Sequence, residues 1–325
     1  MLDLGTLPDL LRLITVPVFV VLAYIDYKTR RIPKLVWIPL ILYGMIIYVI
    51  ESIEIAEFGG IALQLYIFQV GISFGIVAPL SYILYKFKLF GKADFKALVT
   101  LAIIFPTSVS YYLPQFDAHL PILVSEMPLS MAIFANTSII VLSFPLYLAL
   151  KNTINGKVRR HIFVGKEVEV SDIDAHHGRI LDVGKQIPKS GLDIDTLRIY
   201  LQWRGITLEE LIEDPEKYRK VNSLPEKPNP TGSGAIKSNK HISFTGDITY
   251  EENDEWGARA FTESIANLYG TTENSLRKGL ENLVNNDTVW ISPGTPFLVP
   301  LTIGILSAII IGDVLTTLIQ IIGLA

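Results

Sequence analysis

Cysteine is missing from all 325 residues. Its absence excludes disulfides, thiolate catalysis and Cys-type zinc or iron–sulfur sites, while fitting either redox compartment. Histidine is scarce, with five in all. The adjacent pair His176 and His177, near Asp172 and Asp174, has no metal-ligand spacing. A solvated turn is the simpler reading, and no metal or other cofactor is expected. No internal repeat is present. No small-residue cleavage pattern follows the first apolar run, which has Asp3 and Asp9 before it, Arg12 as its one basic residue, and further apolar runs after it. It reads as a retained helix and not as a signal peptide. The formal net charge of −4 says little about partners, and no nucleic-acid binding is expected.

What is present is hydrophobic sequence in long runs. Half of the residues are hydrophobic, gathered into stretches close to the length of about 20 residues that a helix needs to cross the hydrocarbon core. Six candidate spans lie at 8–26, 35–50, 60–85, 95–113, 129–150 and 297–322. Several contain Gly or Pro (Gly71, Gly75, Pro79, Pro106, Pro145), which membrane helices tolerate better than soluble ones. The expected fold is an all-α polytopic membrane protein with six transmembrane helices. It divides into a membrane domain 1–150, a polar insert 151–295 of α+β or mainly α character between helices five and six, and a last helix in 296–325. Within the insert, Thr196 to Asp214, Asp254 to Leu268 and Thr272 to Val284 read as helices, the last opened by a capping Thr. His241 to Tyr250 alternates like a strand pair, and 223–240, rich in Pro, Gly, Ser and Lys, reads as a linker.

Charge sets the expected orientation. The loop after span one carries Lys28, Arg30, Arg31 and Lys34; the loop after span three carries Lys86, Lys88 and Lys92; the insert opens with Lys151, Lys157, Arg159 and Arg160. The alternate loops, 51–58 and 111–128, carry no Lys or Arg. By the positive-inside rule the basic loops and the insert are cytoplasmic and both termini lie outside the plasma membrane. Trp37, Tyr111 and Tyr112 fit an interfacial aromatic belt.

Acids in or at the ends of spans are costly to bury and therefore informative. Asp26 closes span one and Asp94 opens span four, both at the basic boundary. Two carboxylates at one depth on two helices can share a proton, one acting as general base on water and the other as general acid on a carbonyl. The bland alternative is a pair of acids marking interfacial helix ends. Asp313 lies 16 residues beyond Phe297, about 24 Å at helical rise and so near the outer boundary, where helix pairing explains it better than catalysis. Arg30 and Arg31 are topology anchors, or else hold the acid loop and tune it.

Local sequence carries a resemblance. Asp26 is followed by Thr29-Arg30-Arg31-Ile32-Pro33, and Asp94 stands in Gly91-Lys92-Ala93-Asp94. These segments, with Val289 to Pro300 before the last span, resemble the prepilin peptidase family of membrane aspartyl proteases, in its archaeal prepilin/preflagellin form. There the first Asp precedes a Thr-Arg-Arg-Ile-Pro-type loop and the second ends a Gly-x-Gly-Asp motif. The resemblance implies catalysis by Asp26 and Asp94, with Thr29, Arg30, Arg31, Pro33, Gly91 and Ala93 as motif-supporting positions. It also implies precursors bearing class III, pilin-like signal peptides as substrates, cut after a short basic leader at the cytoplasmic face of the bilayer. Ala93 departs from the motif glycine and would disfavour a positive φ there. Bacterial relatives carry a cysteine-rich region before span one linked to methyl transfer. With no cysteine and little sequence ahead of span one, peptidase activity without methyltransferase activity is expected. Two other classes compete. A proton-coupled transporter would place acids near the midplane in an inverted repeat, and a membrane-anchored binding module would use the spans only as a tether. A presenilin-like protease would carry a Pro-Ala-Leu triplet in a late span, and none is present.

Overall fold

The computed structural model describes residues 5–30, 32–87, 90–123, 126–158, 161–181, 191–220, 254–264 and 271–323. The expected linker 223–240 and the strand pair at 241–250 lie outside the described residues. In chain order the helices are α1 (Leu7–Leu13), α2 (Thr15–Thr29), α3 (Trp37–Phe58), α4 (Gly60–Ile72), α5 (Ala78–Lys86) and α6 (Lys92–Ile104). A small hairpin follows, β1 (Tyr111–Leu113) and β2 (Ala118–Leu120), then α7 (Leu129–Ile154). Next come β3 (Lys166–Glu169), β4 (Gly178–Ile180), α8 (Ile194–Arg204), α9 (Leu208–Glu213), α10 (Pro215–Arg219), α11 (Ala258–Ser264) and α12 (Glu273–Val284). The chain closes with β5 (Thr288–Pro293), α13 (Leu298–Ile310) and α14 (Val314–Ile322). Two compact units result: Met1–Phe144 with Pro296–Ala325, and Pro145–Thr295.

Among the described residues four helical stretches are long and apolar enough to cross a membrane: Leu7–Thr29, Lys34–Phe58, Gly60–Lys86 and Leu129–Ile154. Only 22–28% of their most apolar windows is buried. Val21, Ile46, Ile67 and Leu142 are more than half exposed. Apolar surface on this scale is not left to water in a soluble monomer, so lipid is its natural cover. The chain is a mostly helical membrane protein with a small sheet region.

The expected fourth and sixth spans take a different form. α6 has 13 residues, a rise of about 20 Å against roughly 30 Å of hydrocarbon. It ends at Phe105 because Pro106 cannot donate into the helical ladder, and the chain continues as the antiparallel β1–β2 hairpin. α13 also has 13 residues. The chain breaks at Gly312, φ +106°, where a Cβ would meet the backbone oxygen of Leu123 at 2.1 Å. Asp313 then caps α14, its Oδ1 accepting from Thr316 N at 3.0 Å and its Oδ2 from Thr316 Oγ1 at 2.6 Å.

In the first unit α2 packs along α13 and α3 along α6. The buried contacts come from Phe19, Leu98, Leu101, Ile133, Leu298 and Leu301. Thr302 Oγ1 on α13 donates to Phe19 O on α2 at 3.1 Å, and Gly44 lets α3 approach Ile103 and Ile104 of α6. Arg12 is fully buried near the start of the first helical stretch. Its guanidinium reaches Asp9 at 3.0 Å, Glu51 at 2.6 Å, Thr107 at 3.0 Å and Ile104 O at 2.9 Å. A buried charge is tolerable when its donors are paired in this way.

The second unit is α+β. β3, β5 and β4 form an antiparallel sheet in that order, over a core that includes Trp203, Trp256, Tyr200, Phe261, Leu276 and Ile291. The helix expected over Thr196 to Asp214 is two helices, because Gly205 adopts φ +68° as the left-handed cap of α8 and Thr207 caps α9. The helix expected from Asp254 begins instead at Ala258, after a 3-10 turn. α12 opens at Glu273 with Thr272 as its cap. β5 lies where the sequence was read only as the approach to the last helix.

Candidate active site

Asp26 sits in the last turn of α2. The helix stops because Arg30 takes the left-handed conformation, φ 54° and ψ 20°, with its N–H donating to Asp26 O at 2.9 Å. Thr29 Oγ1 donates to Ile25 O at 2.8 Å. Pro33, extended, then feeds the 3-10 turn Lys34–Val36 that leads into α3. Arg31 lies outside the described residues. The Asp26 carboxylate is half-buried. Its Oδ2 accepts from Leu298 N at 3.1 Å, the first residue of α13. A helix N-terminus presents unpaired N–H groups and a positive dipole end, and it suits a carboxylate. Arg30 is within electrostatic reach of the same group.

Asp94 is the third residue of α6 and completes its cap: Gly91 N–H donates to Asp94 Oδ2 at 2.8 Å. Gly91 is extended, φ −74° and ψ 168°, so no left-handed backbone calls for glycine there. The demand is for space. A Cβ on Gly91 would lie 3.1 Å from Asp94 Oδ2. Ala93 lies inside the helix and is not among the positive-φ residues. The strain expected from alanine at this position is therefore not present.

The two carboxylates interact electrostatically. Each has one oxygen held by a backbone N–H, and the other makes no hydrogen bond among the described residues. Phe90 and Phe297 bring the loop before α6 to the start of α13, their ring centroids 4.7 Å apart. The end of α2, the start of α6 and the start of α13 thus converge on Asp26 and Asp94. Leu298 is the participant that sequence reasoning missed. It contributes through its backbone, and no side-chain pattern announces that.

The other candidates lie elsewhere. Asp313 belongs to the α14 cap described above. His177 Nδ1 lies 3.2 Å from Asp195 Oδ1 and 3.2 Å from Arg198 Nη1, and His176 Nδ1 lies 3.3 Å from Lys166 Nζ. The pair is a half-buried polar network of the second unit and not the solvated turn expected. Among the described residues no group of three or more His, Cys, Asp or Glu could hold a metal ion.

With that geometry in view, comparison with known families gives two matches. The model of the type IV leader peptidase family matches residues 13–146, a stretch that contains both Asp26 and Asp94. The model of the archaeal peptidase A24 C-terminus, type II, matches residues 230–314. No curated protein matches the chain.

Proposed function

The chain belongs to the type IV leader peptidase family, in its archaeal branch, and from that premise we propose that it is an aspartic endopeptidase with Asp26 and Asp94 as its catalytic pair. It is a membrane protease that acts on precursors carrying signal peptides. The observation that carries the reading is the convergence of the end of α2, the start of α6 and the start of α13 on two half-buried carboxylates, each anchored by one backbone N–H with one oxygen left over. In this mechanism the two carboxylates hold one proton between them. The ionised member takes a proton from water, and the hydroxide attacks the scissile carbonyl carbon. The protonated member donates to the carbonyl oxygen. As the tetrahedral species collapses, a proton passes to the departing amine and the C–N bond breaks.

The substrates are precursors with class III signal peptides, a short basic leader followed by an apolar helix, cleaved at the cytoplasmic face. Three further readings go with this: six membrane segments, the fourth and sixth being the short helices α6 and α13, with both termini outside; a cytoplasmic 151–295 insert; and peptidase activity without methyl transfer. A site at a helix boundary meets a substrate helix where its backbone is unwound and water is present. Gly71 and Gly75 have open space where a side chain would stand, which suits close packing of a substrate helix in the bilayer. Proton-coupled transport gains nothing from acids at helix ends.

Co-expression with candidate precursors tests the reading. Asp26→Asn and Asp94→Asn should each lower cleavage by at least about a hundredfold, the scale of lost acid–base catalysis, with protein levels in the membrane unchanged. Wild-type cleavage by either variant would remove that residue from the mechanism.

A further inference from the structure

The second unit holds a groove of about 720 Å³, within the range of roughly 300–1,000 Å³ typical of ligand sites. Its floor is apolar, formed by Leu201, Ile206 and Leu283. Its rim carries five exposed carboxylates, Glu169, Asp174, Glu209, Glu213 and Asp287. None of the five makes an ion pair among the described residues. Other acids of the same unit do find cations: Glu167 with Lys157 at 2.9 Å, Asp195 with Arg198 at 2.6 Å, Glu216 with Arg219 at 2.9 Å.

Among the described residues the one basic residue lining the groove is Arg198, which is 7% exposed. Its charge is already matched by Asp195, and it also donates to the backbone oxygens of Asp174 and His176.

We propose that this groove docks the basic leader of the precursor: Lys and Arg side chains meet the rim, and the apolar residues that follow lie on the floor. The identity of the partner rests on the peptidase reading; the chemistry of the groove does not. Anionic ligands are repelled by five like charges. A metal ion is disfavoured because the carboxylates are spread around the rim and do not converge. A segment with several cations beside apolar side chains satisfies rim and floor together. Such a surface speeds encounter, holds the correct partner, and weakens with salt.

The test uses the full chain in nanodiscs, carrying Asp26→Asn and Asp94→Asn so that nothing is cleaved. The probe is a fluorescent synthetic leader with three or more Lys/Arg followed by its first apolar turn. Saturable binding that weakens as salt rises is expected. Glu209→Gln, Glu213→Gln and Asp287→Asn combined should weaken it about tenfold, the sum of three modest exposed pairs, and flatten its salt dependence. In the cleavage-competent chain the same triple variant should raise KM about tenfold with kcat unchanged. Equal affinity of the triple variant, or no binding by the parent chain, overturns the proposal. So does an oligolysine of equal charge that binds as tightly as the leader, because the floor would then contribute nothing. Binding that behaves as expected beside a wild-type chain that cleaves no precursor would instead fault the peptidase reading.

Discussion

At Gly91 a single hydrogen atom decides the geometry of a carboxylate. The backbone there is one that any residue adopts, yet a methyl group would press on Asp94 Oδ2 from 3.1 Å. Gly91→Ala should therefore lower kcat about tenfold, since small displacements of a reacting group are expensive, with KM and membrane abundance close to wild type. Initial rates on a purified precursor read this directly. Ala93→Gly should leave kcat nearly unchanged, because Ala93 is already helical without strain. A kcat for Gly91→Ala equal to wild type would show that the carboxylate moves freely. Arg12 teaches a different lesson. It stands 14 positions before Asp26 on the first helical stretch, about 21 Å away along an ideal helix, and its two acids, Asp9 and Glu51, belong to different helices. In the sequence it stood out only as the one basic residue of the first apolar run. Asp9 is one turn away, but Glu51, Ile104 and Thr107 are distant in sequence, so no local pattern reveals the whole network.

Elements act here through their ends. The N-terminus of α13 holds Asp26, and α13 is itself positioned by close packing. A Cβ on Gly304 would lie 2.1 Å from Thr137 Oγ1 on α7. In the second unit Asp193 caps α8, its Oδ1 accepting from Asp195 N at 3.1 Å and Thr196 N at 3.3 Å. Burial, assisted by the neighbouring charge of Asp195, pushes Asp193 up to about 6 from 3.8. A carboxyl group with a raised folded-state value binds its proton more tightly folded than unfolded. Its contribution is complete below pH 4 and is lost as pH rises through 6, on the order of 2–3 kcal/mol. Local protection of the α8 amides against hydrogen exchange, corrected for intrinsic rates, should therefore fall across that window in the intact protein. Asp193→Asn keeps an acceptor at the cap and should flatten the dependence. Persistence of the full dependence in that variant would assign it to another group.

For the whole molecule the orientation is the first thing to measure, and the absence of cysteine makes the measurement clean. Lys34 and Phe116 are exposed, one in a basic loop and the other in the loop without Lys or Arg. A membrane-impermeant thiol reagent should label Phe116→Cys on intact cells, and Lys34→Cys only after permeabilisation. The reverse pattern would invert the topology and leave the carboxylate pair on the side of the membrane opposite a cytoplasmic leader.

Composition and periodicity alone determined that the chain lives in a membrane, because runs of apolar residues near 20 long have no other stable environment. The motif residues around Asp26 and Asp94 were legible for the same local reason: short-range sequence fixes where a helix ends and which side chain stands there. Capping was equally readable at Thr272, where one side chain serves the amide of Ser275 three residues on. Tertiary structure decided the rest. The break at Gly312, the strand at 288–293, the amide of Leu298 on Asp26 and the acidic groove all depend on segments far apart in the chain. Backbone groups and packing distances carry those contacts, and a one-dimensional pattern of side chains records neither.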